Sequence, residues 1–311
     1  MHQIIKEGKA EIRLPRADKV SSKMPVFYNP EMRLNRDISV IFLNSINEEK
    51  LNIGLPLEAT GIRGIRFLKE LPKGLIKRIE FNDIKRSAYK LIKENLRQNA
   101  LKGRKIRVHN EDANIFLLKS KGFNYIDIDP FGSPNQFLDS GIKRLSSDGY
   151  LAVTCTDTAS LSGTYPKTCL RKYWAMPRND SNMHETGIRI LIRKIQLIGS
   201  QYHKALFPVL SYSHKHYFRV YFKCENSKSL CNNIISQHRI IESAGPMWLG
   251  NLWELSLINK MRKNANDYLI GLLEVIKEEA EINVVGFFDI HEICQKYKVK
   301  KEMAVAPPDQ V

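Results

Sequence analysis

Asn124-Tyr125-Ile126-Asp127-Ile128-Asp129-Pro130-Phe131-Gly132-Ser133-Pro134 is the stretch that decides the fold. Asn124 to Ile128 has the character of a buried parallel strand, so Asp129 falls where the backbone leaves the sheet at its carboxyl edge. Open α/β sheets bind their ligands at that edge. Asp129 supplies a carboxylate acceptor, Pro130 a carbonyl with no N–H beside it, and Phe131 a flat apolar face. Together they suit an amino group on a flat ring. Taken alone, the same residues would also serve as an ordinary strand-to-turn exit, with proline as punctuation and the phenylalanine in the core.

Outward from this strand, residues 51 to 222 alternate apolar runs with amphipathic stretches: IGLPLEA, GIRGIRFLKEL, RIEFND, RSAYKLIKENLRQNAL, KIRVHNED, ANIFLLKS, QFLDSGIKRL and GYLAVTCTD. That rhythm predicts a doubly wound parallel α/β sheet. In the helix expected over residues 86 to 100, Ala88, Leu91, Ile92, Leu96 and Ala100 share one face, while Lys85, Lys90, Lys93 and Arg97 point elsewhere. Residues 189 to 198 read as helix. PVLSYS and YFRVYFKC then read as a closing antiparallel hairpin. Residues 1 to 35 end in a segment too polar for a core element and read as an arm lying over the ligand site. From residue 226 the composition changes to polar, Gly- and Trp-rich sequence and two amphipathic helices, at Leu255 to Met261 and Tyr268 to Glu279. The division expected is residues 1–225 for arm and catalytic domain, and 226–311 for a smaller α+β domain.

With 49 Lys and Arg against 33 Asp and Glu in 311 residues, the net charge is +16 and the isoelectric point near 9.6, which favours a phosphate-bearing partner. Residues 63 to 107 alone hold 15 basic and 4 acidic residues. With Arg13, Arg16, Lys19 and Lys23, they form the expected nucleic-acid surface. Tyr165, Tyr173 and Trp174 beside Lys167, Arg171 and Lys172 suit stacking and phosphate contact, although Trp174 suits a core equally well. The five cysteines are widely spaced and include no C-x-x-C pair, so neither a disulfide framework nor a zinc site is indicated. Lys6 and Glu7 interrupt what a signal peptide would need, and no run approaches a membrane span. An intracellular, cytoplasmic protein is expected, with a monomer as default.

Ala59-Thr60-Gly61-Ile62-Arg63-Gly64 follows the first strand and opens a helix, presenting backbone N–H groups to the cleft. Asp83, Asp112 and Asp129 then end three successive strands. Asp83 is placed to hold ribose hydroxyls and Asp112 to accept from an adenine amino group, although each Asp alone is more often a helix N-cap. The chain has no Gly-Lys-Ser or Gly-Lys-Thr phosphate loop. An adenosine without phosphates and with a sulfonium fits instead, which is S-adenosylmethionine. Arg36, Arg63 and Arg66 are candidates for its carboxylate. A nucleobase N-methyltransferase follows as the first functional expectation.

VFYNPEMRLNRD (26–37), ATGIRGIR (59–66), Asn82-Asp83, Asp112-Ala113-Asn114, DIDPFGSP (127–134), TCTDTASLSGTYPKTCLRKY (154–173), HETGIRIL (184–191) and GPMWLG (245–250) resemble the tRNA (guanine-26 N2)-dimethyltransferase family over most of the chain. The resemblance implies a Rossmann-like class I S-adenosylmethionine-dependent methyltransferase domain with a C-terminal tRNA-binding domain. It implies transfer of one or two methyl groups to the exocyclic N2 of guanine 26. Phe27, Arg36, Arg66, Asp83, Asp112 and Ala113 would then line the cofactor site, and Asp129, Pro130 and Phe131 would hold the guanine. The family's paired C-x-x-C motifs are absent, Cys224 and Cys231 standing alone there, and no zinc is expected. Family members commonly continue beyond the position of Pro308, so the C-terminal domain is expected in a form that could be shortened. Two rivals stay open: methylation of another guanine or an adenine in tRNA or rRNA, and a silent RNA-binding protein.

Overall fold

The computed structural model describes residues 2–15, 26–46 and 48–282. Arg16, Lys19, Lys23, Cys294 and the Pro307-Pro308 pair lie outside the described residues.

The seven-stranded central sheet is built from β3 (Leu51–Leu55), β4 (Ile76–Asn82), β5 (Ile106–His109), β6 (Phe123–Ile128), β7 (Leu145–Cys155), β8 (Lys204–His214) and β9 (Tyr217–Asn226), in spatial order β5-β4-β3-β6-β7-β9-β8. Every pairing from β5 to β7 is parallel. β9 runs antiparallel between β7 and β8, so the predicted closing hairpin inserts its second strand into the sheet. This is a mixed, doubly wound, Rossmann-like sheet, in keeping with the alternation of apolar and amphipathic runs. The strand order reverses between β3 and β6, which opens a crevice at their carboxyl ends.

Helices α2 (Ile62–Glu70), α3 (Arg86–Gln98), α4 (Ala113–Lys119), α5 (Asn135–Arg144), α6 (Thr158–Leu161), α7 (Pro166–Tyr173) and α8 (Met183–Gln201) follow their strands in the chain and, with α1 (Arg33–Ser45), flank the sheet. In α3 the apolar stripe Ala88, Leu91, Ile92 and Leu96 is buried, and Lys85, Lys90, Lys93 and Arg97 are exposed. Ala100 departs from expectation. The helix ends at Gln98, and Ala100 is exposed with a left-handed φ of 54°.

A larger departure lies at the N-terminus. β1 (His2–Glu7) and β2 (Ala10–Pro15) form a hairpin, and its buried Ala10, Ile12 and Leu14 join the main core. Met32, Leu34, Ile38, Ile41 and Phe42 are also buried in that core, so the segment read as an arm includes a core helix. Its polar residues misled because they are buried against partners distant in the sequence. Asn35 Nδ2 donates to Thr154 Oγ1 at 3.3 Å and Arg36 pairs with Glu7.

Beyond the sheet, α9 (Lys228–Ser236) is capped by Ser227, whose side chain accepts from the Leu230 N–H. The ribbon of β10 (His238–Ile241) and β11 (Ala244–Trp248) contacts α8, and α10 (Leu255–Asn264) and α11 (Asp267–Ile282) follow. Leu257, Ile258, Met261, Leu269, Leu273 and Ile276 belong to the same buried cluster as Phe42 and Tyr150.

Candidate active site

The crevice at the reversal point holds a cleft of about 370 Å³. Its floor is the loop after β3, its far wall the loop after β6, and its roof the segment entering α1. Phe27, Arg36, Arg63, Asp129, Pro130 and Phe131, predicted from sequence, all line it, together with Glu58, Ala59, Thr60, Thr156 and His216.

Gly61 caps α2 at φ 79°, a left-handed conformation that disfavours any side chain. Ala59 is also left-handed, at φ 48°, and its N–H donates to Asp83 Oδ2 at 2.9 Å. Strain of this kind is held in place by its surroundings, and Asp83 supplies the hold. The Gly64 position admits no Cβ, which would come within 2.3 Å of Phe81, so α2 packs directly on β4.

Asp129 forms a short ion pair with Arg63 Nη2, and Asp127 Oδ2 lies 3.4 Å from Nη1 of the same arginine. Below them Arg219, fully buried on β9, donates to both Asp127 oxygens at 2.9 and 2.7 Å and to Thr154 Oγ1 at 2.8 Å. Burial alone would raise the Asp127 carboxyl, but Arg219 and Arg63 outweigh it and hold it below the usual carboxylate range. Ser39 Oγ accepts from Arg63 Nη1 at 2.8 Å and Tyr125 donates to Asp127 at 2.7 Å. The guanidinium that grips Asp129 is therefore itself fixed from behind, and the carboxylate is aimed rather than free to rotate.

Glu58 is the group here that lacks a charged hydrogen-bond partner. It is 7 % exposed and accepts at 3.5 Å from the Gly64 N–H. Burial pushes its carboxyl up to about 8, with Asp127 and Asp129 adding to the rise and Arg63 opposing it.

Phe131 is half-exposed and meets Phe27 edge to face, with centroids 4.2 Å apart. Its loop is pinned to the end of β7: the Gly132 N–H donates to Thr156 Oγ1 at 2.6 Å and the Thr156 N–H to the Gly132 carbonyl at 3.0 Å. An apolar ring face thus stands beside an oriented carboxylate.

The three candidate carboxylate-binding arginines separate. Arg66 is buried against Glu7, Asp37 and Glu70 and does not line the cleft. Arg63 is committed to Asp127 and Asp129. Arg36 lines the cleft; its Nε and Nη2 bind Glu7, both at 2.7 Å, and its Nη1 has no partner among the described residues. Burial works against the Glu7 anion, yet Arg36 and Arg66 hold it at about 2. Asp83, Asp112, Gly61 and Ala113 lie outside the cleft lining. Asp83 accepts from Ala59 and Lys85 N–H groups, and Asp112 caps α4 by accepting from Asn114 and Ile115 N–H.

Other expected contacts are reassigned. Tyr173 is fully buried and donates to Asp157 at 3.0 Å, against the expectation of a stacking surface, whereas Trp174 is exposed, as its stacking alternative requires. Lys172 pairs with Asp157 at 2.9 Å. In HETGIRIL, Arg189 is buried, paired with Glu185 and donating at 3.0 and 2.9 Å to the Trp248 and Gly250 carbonyls, so this motif and GPMWLG are two sides of one joint. Sequence reasoning missed Glu58, His216, Ser39 and Arg219. For Arg219 there was a signal: a lone cation inside the apolar run YFRVYF, matched by the lone Asp127 inside YIDI.

The fold of an adenosine-sulfonium enzyme is matched by solved structures. The S-adenosyl-L-methionine complex of Trm1 from Pyrococcus horikoshii is similar at a TM-score of 0.86 and 35% identity, covering 96% of this chain and 88% of that one. Trm5b from Pyrococcus abyssi is similar in fold, at TM-score 0.51 and 12% identity, over 73% of this chain and 56% of its own. Among curated proteins, the tRNA (guanine(26)-N(2)/guanine(27)-N(2))-dimethyltransferase of Aquifex aeolicus is 36% identical over 96% of this chain and 86% of its own length. The tRNA (guanine(26)-N(2))-dimethyltransferase of Methanococcus maripaludis is 37% identical over 95% and 86%. With the model of N2,N2-dimethylguanosine tRNA methyltransferases matching residues 8–244 and 238–306, the chain belongs to that family.

Proposed function

We propose that the protein transfers one or two methyl groups from S-adenosylmethionine to the exocyclic N2 of guanine 26 in tRNA. The observation that carries this reading is Asp129-Pro130-Phe131 opening into one cleft with Arg36 and the left-handed Ala59-to-Gly61 turn. The donor set fits the cofactor: a partly free guanidinium for its carboxylate, backbone N–H groups at the start of α2, and aromatic surface for its base. When bound, S-adenosylmethionine supplies an electrophilic methyl group.

The chain's own residues do the rest. The N2 lone pair of guanine is delocalised into the ring. Asp129 and the Pro130 carbonyl accept its two hydrogens and turn the lone pair outward, a gain of alignment and of acceptors where positive charge develops. Asp129 takes the proton as the N–C bond forms. Phe131, with Phe27 at its edge, stacks on a guanine extruded from the tRNA, because a paired base cannot reach the sheet edge. Asp83 supports the cofactor by holding Ala59 and offering its remaining lone pairs to ribose, and Asp112 and Ala113 flank the adenine end. Residues 226–311 would add tRNA contacts, Arg262 and Lys263 in the last turn of α10 supplying charge. A monomer in the cytoplasm, without metal, completes the reading.

The test is methyl transfer from labelled cofactor to unmodified tRNA transcript, with nucleoside mapping at positions 26 and 27. Asp129→Ala should lose about 10²-fold or more in single-turnover rate with cofactor affinity retained. Transfer that persists in that variant, or that maps to another nucleoside, would overturn the assignment.

A further inference from the structure

At the amino edge of the central sheet, opposite the reaction cleft, lies a second hollow of about 590 Å³ with Lys77, Arg78, Arg104, Lys105, Lys121 and Asn124 in its wall and no acidic residue among its lining. These residues come from the starts of β4 and β6 and the turn before β5, so the topology itself brings them together. Arg78 is a fixed part of the wall: its Nη2 donates to the Gly122 carbonyl at 2.9 Å, its Nε lies 3.1 Å from Glu80, and its guanidinium lies over Phe123. Asn124 turns its amide oxygen to the Asn52 N–H and Nδ2, at 3.0 and 3.1 Å, which leaves its own amide nitrogen without a partner among the described residues. Lys77, Arg104, Lys105 and Lys121 are exposed, and none has a carboxylate partner among the described residues. A solvated surface would usually interleave carboxylates with these cations. Four unpaired cations and a free amide donor converging on a concave surface instead match the phosphates of a nucleic-acid backbone.

We propose that this hollow is a second tRNA docking site, holding backbone phosphates of an arm other than the one whose guanine enters the cleft. The proposal rests on the tRNA reading above and extends it to a separate place. Strand β6 runs from the hollow at Asn124 to Asp129 at the cleft. At about 3.3 Å per residue the five steps from Asn124 to Asp129 separate the two sites by roughly 17 Å through the sheet. A short stem that fills the cleft cannot reach both, whereas a folded tRNA can.

The experiment uses the full chain and two RNAs: unmodified tRNA transcript, and a hairpin of a few base pairs carrying the target guanine. Parent, Lys77→Ala/Lys105→Ala/Lys121→Ala and Arg104→Glu/Lys121→Glu are titrated across a salt series, with cofactor binding and thermal midpoint confirming folding. For tRNA, the triple variant should bind about 10- to 100-fold more weakly at about 0.15 M salt, its log K against log salt slope reduced by roughly 2 to 3. Hairpin and cofactor affinities should stay at parent values. Parent-like tRNA affinity and slope in both variants would overturn the proposal, and so would equal losses on hairpin and tRNA. Methyl transfer by the parent is read alongside: transfer with unchanged binding in the variants sinks the hollow alone, whereas no transfer sinks the catalytic reading and leaves the binding comparison to decide the hollow.

Discussion

Glu58 contributes a proton to the folded state that the unfolded chain gives up. Its carboxyl titrates near 8 in the fold, raised by burial, against an ordinary value of 4.5. Between those values the unfolded chain binds fewer protons than the native one, so stability falls as pH rises, by up to about 1.4 kcal/mol per pH unit. Glu7 has the opposite sign: its stabilisation is present above pH 4.5 and is lost only as pH falls toward about 2. Glu58→Gln, uncharged at every pH, should therefore be flatter than the parent between pH 5 and pH 8. Urea midpoints at those two pH values should show the parent losing on the order of 2 to 4 kcal/mol more than the variant. Parallel curves would show that Glu58 ionises freely in the cleft. The carboxyl shares the cleft with Asp129 and feels the Asp127 charge as well, so keeping it neutral limits the negative charge that Arg63 has to offset.

At the scale of elements, the support beneath Asp129 is a junction of three strands. Arg219 on β9 reaches Thr154 on β7 and Asp127 on β6, and Tyr221 and Ser39 share a 2.8 Å hydrogen bond beside it. Arg219→Met leaves the Asp127 charge with Arg63 at 3.4 Å as its remaining cation, and should cost about 3 to 5 kcal/mol in urea denaturation. Adding Asp127→Asn should restore at least about 1 kcal/mol, because it removes the stranded charge. No recovery in the double variant would mean that packing of the arginine, and not charge compensation, fixes the junction. The elements themselves were legible because their periodicity is a local property: strand β6, helix α3 and the hairpin of β8 and β9 were each readable from spacing alone. The junction was not, since Asp127 and Arg219 are 92 residues apart and nothing local pairs them. The same non-locality hid helix α1. VFYNPEMRLNRD reads as polar until Asn35 and Arg36 are seen to spend their polar groups on Thr154 and Glu7. At the cleft, DIDPFGSP could be placed from its strand, but whether an arginine serves a ligand or a neighbour depends on which carboxylates fold against it, as Arg66 shows.

Across the whole molecule the net charge of +16 is not one continuous surface. Arg63 and Arg66, counted from sequence with the basic stretch between residues 63 and 107, are buried in ion pairs and offer nothing to a nucleic acid. On the other side of the Asp129 loop, Tyr165, Lys167 and Arg171 remain exposed around α7, with Trp174 exposed just beyond. Lys194 stands over the Trp174 ring, its ammonium pushed down to about 8 by burial and by Arg193. Asn135 Nδ2 donates to the Lys172 carbonyl at 2.8 Å and so fastens this helix to the start of α5, a few residues past Phe131. RNA held by α7 would thus be in register with the loop proposed to hold the base. Lys167→Ala/Arg171→Ala should weaken binding of both the tRNA transcript and a short target hairpin, by about 1 kcal/mol for each phosphate no longer held, with cofactor affinity unchanged. Tyr165→Ala should lower affinity for the hairpin by about 1 to 3 kcal/mol if a base stacks there, with little change in salt dependence. Loss of the charge pair would flatten the salt slope and loss of the ring would not, so the two contributions separate in one titration series. Hairpin affinities unchanged in all these variants would remove α7 from the RNA path and leave the DIDPFGSP loop to hold the target guanine without it.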